Sequence, residues 1–214
     1  GEEMKKIVIV FAICLVASNA FAKAPKKPIS EPQSPKQESL KVTWADEPTS
    51  ILGIKFGAPI ADSAEECPMI GSHYGFPKTG GDPCWAPEKN LKDYYKIQIG
   101  KSIGVMITDI SAFQLDGQVE YVSFKFRSYD SQNLSDLLKA KYGAPKSEKA
   151  GQIQNKMGAT FDQLTMYWEG ENVSILFQSR AGKIDEGRVD VSTKKHKQHL
   201  EAVSSNIIKM KDNL

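Results

Sequence analysis

The chain has 214 residues, of which 28 are basic and 26 acidic, for a formal net charge of +2. That balance argues against a dedicated nucleic-acid binder, which carries a strongly basic face. With 40% hydrophobic residues, the chain is long enough for one domain with a real core.

The first residues read as an export leader. After Met4, Lys5 and Lys6 supply charge, residues 7–17 an apolar core, and Asn19-Ala20-Phe21-Ala22 small residues at the two positions a signal peptidase inspects. The core is much shorter than the roughly 20 apolar residues that span a bilayer. Residues 4–22 are therefore expected to be a secretory signal cleaved after Ala22. Residues 1–3 read as a cloning scar or an extended reading frame. Cys14 lies inside the apolar core after Ile13, a poor fit to a lipid-attachment site. A soluble periplasmic or secreted protein is expected.

Cleavage would leave Cys67 and Cys84, which frame CPMIGSHYGFPKTGGDPCW. Two cysteines in an oxidising compartment most often pair. A zinc site or a thioredoxin-like centre would favour a close Cys-x-x-Cys pair, and only His73 is nearby. The reading favours a structural disulfide over free thiols or a metal. Closing such a loop is worth about 3 kcal/mol in the chain-entropy model.

Residues 23–48 read as a Pro- and Lys-rich disordered tether, with Pro25, Pro28, Pro32, Pro35 and Pro48 among polar residues. Its basic start, KAPKK, allows at most weak peripheral contact with membrane or cell wall. A single α+β domain is expected over 49–192. Residues 51–56 suit a strand, and Asp62 or Ser63 is placed to cap a short helix ending near Cys67-Pro68. Residues 94–99 and 103–107 also look like strands.

Asp116-Gly117 between β-rich runs predicts a two-residue hairpin turn. Beyond it, Val122, Phe124 and Phe126 alternate with Ser123, Lys125 and Arg127, giving one buried and one wet face. Leu134, Leu137, Leu138 and Tyr142 fall on one face of a helix that Gly143 stops and Pro145 keeps from resuming. Residues 164–168 and 173–179 predict a second hairpin, and 188–192 one more strand. Residues 193–214 read as an amphipathic helix whose Leu200, Val203, Ile207 and Met210 would pack on the sheet. His196 and His199 are a possible metal pair on it, but solvated surface is favoured, because neighbouring Lys194, Lys195 and Lys197 repel a cation.

VSFKFRS (122–128) and VSILFQS (173–179) share Val, Ser, Phe and Ser at matching places. This suggests two tandem helix-plus-hairpin repeats, about 51–128 and 129–192, against convergence of ordinary hairpins. The expected sheet is antiparallel, with short helices packed on one face. The opening GIKFG followed by a short helix, and the later helix ending KYGAP before a hairpin, resemble the small bacterial envelope modules typified by BamE/SmpA. Two such modules in tandem are similar to the β-lactamase inhibitor protein architecture. The resemblance covers roughly 51–192 and implies a protein-binding scaffold. The chain departs from it by lacking a lipobox, and by having one cysteine pair where the inhibitor has one in each repeat. No functional residue carries over.

Catalytic signatures are missing from the sequence: it holds no Gly-x-Ser-x-Gly, His-Glu-x-x-His, Walker or dinucleotide motif. No catalytic residue, metal or cofactor is assigned. His73, Tyr74, Phe76 and Trp85 form the candidate binding loop, although large rings in small domains more often fold back into a core. The leading expectation is an exported, non-catalytic protein-binding module of the bacterial envelope, of inhibitor, immunity or assembly-accessory type, whose partner is another envelope or secreted protein. The alternatives are a periplasmic enzyme of unrecognised type acting on cell-wall or small-molecule substrates, and a structural envelope module held by its basic tether.

Overall fold

The structure is a computed structural model that describes residue 44, residues 47–77 and residues 80–211. The expectations for residues 1–3, the signal 4–22 and most of the tether lie outside the described residues. The chain is an α+β protein built on one large sheet.

Two short strands, β1 (Ser50–Ile51) and β2 (Ile54–Lys55), open the fold. Residues 51–56 are thus a tight hairpin and not one strand, because Leu52 and Gly53 turn the chain with φ of 51° and 85°. The expected helix near residue 62 is only a 3-10 turn, Ile60–Asp62. Ser63 does not cap it with its side chain; its hydroxyl instead accepts the Lys55 backbone N–H at 2.9 Å. The strands β3 (Glu65–Glu66), β4 (Met69–Ile70), β5 (His73–Tyr74), β6 (Cys84–Pro87) and β7 (Tyr94–Gln98) follow.

The long hairpin of β8 (Ile107–Leu115) and β9 (Gln118–Arg127) turns at Asp116-Gly117, both at positive φ (54° and 76°), as the sequence predicts. Helix α1 (Ser131–Tyr142) ends at Gly143, with φ of 75°. A second run of strands follows: β10 (Ser147–Gln154), β11 (Thr160–Glu169), β12 (Val173–Gln178) and β13 (Glu186–Thr193). Helix α2 (Lys194–Lys211) closes the described chain.

The sheet order is β10-β11-β12-β13-β9-β8-β7-β6-β3. Two four-stranded antiparallel meanders therefore meet where β13 pairs with β9, and only β3 joins its neighbour in parallel. Register makes the core legible. Ile110, Phe124, Val189, Phe177 and Met166 form one row across the strands, and Ala112, Val122, Val191, Ile175 and Trp168 the next. All ten are buried. Leu134, Leu138 and Tyr142 of α1 complete this core together with Ile51, Ile54 and Ile60, whereas Leu137, expected on the same face, is exposed. Burying a side chain of this kind is worth about 1.5–3 kcal/mol, so these rows dominate stability.

The opposite face is polar. Its rows are Lys96, Ser111, Ser123, Asp190, Leu176 and Tyr167, and then Asp109, Lys125, Arg188, Gln178 and Thr165. Here α2 attaches by its first turn, so α1 and α2 lie on opposite faces and not on one. The expected packing of Leu200, Val203 and Ile207 on the sheet does not occur; all three are exposed, and the expectation for the Met210 side chain lies outside what the structure describes. The domain also begins earlier than residue 49. The Trp44 indole donates to the Tyr142 carbonyl at 2.9 Å, and the Glu47 carboxylate accepts the backbone N–H groups of Asn172 and Val173.

Candidate functional site

Cys67 and Cys84 are joined in a disulfide, with Cα atoms 4.8 Å apart. Both are buried, and the backbone knits them to the sheet edge: Glu65 pairs with Cys84, and the Cys67 N–H donates to the Trp85 carbonyl at 2.7 Å. The bond therefore closes the base of a projecting loop, not its tip.

Within the loop, β4 and β5 form a small hairpin, Met69 opposite Tyr74 and Ile70 opposite His73, turning at Gly71-Ser72. Gly71 has φ of 64°, a left-handed geometry that favours glycine. Gly75 has a different role. Its N–H donates to the Pro68 carbonyl at 2.7 Å, and a Cβ there would lie 2.5 Å from Ile70 Cδ1. The missing side chain lets Ile70 lie across the hairpin neck. The Tyr74 hydroxyl donates to Glu66 Oε1 at 2.9 Å, and that bond raises the phenol pKa above its ordinary value.

The structure separates the four residues of the candidate loop. His73, Tyr74 and Phe76 face solvent, Phe76 at 73% exposure. Trp85 turns inward: its indole donates to the Ala64 carbonyl at 3.0 Å, and its ring meets Tyr95 edge-on at 5.4 Å. The inward fold preferred from sequence therefore holds for Trp85 and fails for Phe76. Sequence reasoning passed over Met69 and Ile70, which are 58% and 67% exposed beside Tyr74. The signal was present in MIGSHY, two apolar and two aromatic-type residues around a Gly-Ser turn.

A second polar centre lies on the open sheet face. Asp190 Oδ1 accepts from the Tyr121 hydroxyl at 2.6 Å and the Ser123 hydroxyl at 2.7 Å, while its other oxygen lies 2.9 Å from Arg188 Nε. Burial, then the Asp190 bond, holds the Tyr121 hydroxyl well above the ordinary phenol range. The carboxylate accepts from both β9 hydroxyls and pairs ionically with Arg188, whose Nε makes no hydrogen bond, an arrangement that suits a structural clasp between β9 and β13. Next to the start of α2, a shallow cleft of about 540 Å³ includes Glu120 and Lys195. The buried Glu120 carboxylate is held by the Thr193 hydroxyl at 2.5 Å and by Lys195 at 3.6 Å.

The two histidines of α2 are not the solvated pair expected from sequence. His196 is buried, its Nδ1 lies 2.8 Å from the Ser192 hydroxyl, and both imidazoles approach the Phe113 ring. Among the described residues no group of three His, Cys, Asp or Glu is arranged to hold a metal ion, and no helix is long and apolar enough to cross a membrane.

No family model, curated protein or solved structure matches this chain. The geometry of the site therefore stands on its own.

Proposed function

We propose that the chain is an exported, non-catalytic protein-binding module of the bacterial envelope, and that it captures another envelope or secreted protein with the hairpin anchored by Cys67 and Cys84. One observation carries this reading: Met69, Ile70, Tyr74 and Phe76 are exposed together on a hairpin whose base is covalently closed. Clustered exposed apolar side chains are costly in water unless a partner covers them. Closing the loop beforehand lowers the ordering cost of binding. The disulfide itself is compatible with an extracytoplasmic location.

The envelope-module resemblance fits this reading. The mirrored meanders β6-β7-β8-β9 and β10-β11-β12-β13 support a duplicated unit. The similar segments VSFKFRS and VSILFQS fall on the fourth strand of one meander and the third of the other, so topology and not that likeness supports the duplication.

The test is affinity capture from the native cell envelope, comparing the oxidised protein with its Met69→Ser/Ile70→Ser/Phe76→Ser variant, followed by mass spectrometry. A single abundant partner should be captured by the first and lost from the second. Equal recovery by both would sink the hairpin as the binding surface.

A further inference from the structure

Among the described residues, helix α2 is held to the body at its start. His196 packs on the sheet, Lys195 reaches Asp116 Oδ2 at 3.0 Å, and the Lys197 ammonium donates to the Tyr167 hydroxyl at 2.7 Å. Beyond that turn the helix leaves the fold: residues 201–208 are all exposed. Yet Leu200, Val203, Ile207 and Ile208, at 50%, 40%, 46% and 59% exposure, are apolar. The first three recur at three- and four-residue spacing along one side, with Ile208 beside them.

The charge on the same helix is one-sided. It carries Lys194, Lys195, Lys197, Lys209 and Lys211 against a single acidic residue, Glu201. Lys194 stands before the apolar stripe, and Lys209 and Lys211 lie in the last turn. A second copy of α2 would bring like charges together in either orientation, with only Glu201 to offset them. An anionic lipid surface supplies the missing complement: apolar depth for the stripe, and negative charge for Lys194 before it and for Lys209 and Lys211 after it.

We propose that the distal half of α2 lies in the plane of an anionic phospholipid surface, with Leu200, Val203 and Ile207 turned into it. The helix rests on the bilayer and does not span it. This attachment is separate from the Cys67–Cys84 hairpin and leaves that surface free.

The test mixes the full chain with vesicles of phosphatidylglycerol and phosphatidylethanolamine, and separately with vesicles of phosphatidylcholine alone. Co-sedimentation is expected with the first and not the second, and it should fade in about 1 M salt, where the screening length falls to about 3 Å. Val203→Asp/Ile207→Asp changes only exposed positions, so an unaltered melting temperature should accompany an approximately tenfold loss of bound protein. Equal binding by that variant overturns the proposal, because the attraction would then come from elsewhere, such as KAPKK. Equal binding to both vesicle types also overturns it. A dimer in sedimentation equilibrium that the variant abolishes, with no vesicle binding, overturns it in favour of a second copy.

Discussion

The imidazole of His196, on the first turn of α2, stacks on the Tyr121 ring of β9, with centroids 4.8 Å apart and planes 26° from parallel. This contact ties the helix to the sheet from the polar side, while Tyr121 itself is fastened to Asp190. Burial first, and then the neighbouring His199, lowers the His196 pKa below its ordinary value, with Glu120 opposing. The surrounding Lys195 and Lys197 lie on the same helix.

A pH dependence follows from this geometry. The folded protein binds a proton at His196 less readily than the unfolded chain, so acid favours unfolding. The His196 contribution is complete above the unfolded value of about 6.5 and declines as pH falls through it toward the lower folded value. Urea midpoints measured from pH 8 to pH 5 should fall, and His196→Gln should flatten that part of the curve. An equally steep fall in the variant would assign the effect to other groups.

Gly187 of β13 lies directly across from Phe126 of β9. A Cβ at Gly187 would come within 2.3 Å of Phe126 Cζ, and that ring stacks on Phe177 at 5.5 Å in the fully buried core. Gly187→Ala should therefore cost about 1–3 kcal/mol through overpacking, although alanine ordinarily suits a strand better than glycine. Chemical denaturation of the two proteins decides this; a variant as stable as the parent would mean the ring can move aside.

Cys67→Ser/Cys84→Ser should lower stability by about 3 kcal/mol in the loop-entropy model. The loss should concentrate in the hairpin, so limited proteolysis should cut near Met69–Tyr74 before the sheet unfolds. In the parent, thiol titration of the folded full chain should leave two of its three cysteines unreactive. Three reactive thiols would remove the staple.

Local rules made much of the architecture readable. Asp116-Gly117 announced its hairpin because two successive residues at positive φ restrict the choice of side chain. Leu134, Leu138, Tyr142 and Gly143 announced α1 through periodicity and a stop. Strand β10, SEKAGQIQ, escaped notice because it is an edge strand with almost no apolar residue to bury. It is held by pairing with β11, a partner that no window of sequence reveals. The 3-10 turn at Ile60–Asp62 disappointed the helix expectation because polar residues and a nearby proline leave too short a run to propagate.

The same division runs through the candidate site. The sequence by itself determined the charge balance, the turn residues, and a cysteine pair spaced for a staple, because these depend on composition and on near neighbours. Only the tertiary structure decided which aromatic rings face water. Trp85 found Ala64 and Tyr95 across the sheet edge, whereas Met69, Ile70, Tyr74 and Phe76 reached beyond the core. It also decided that His196 is buried and Leu200 is not. A residue's period along a helix says which side it occupies, but burial depends on how far the neighbouring sheet extends beneath it.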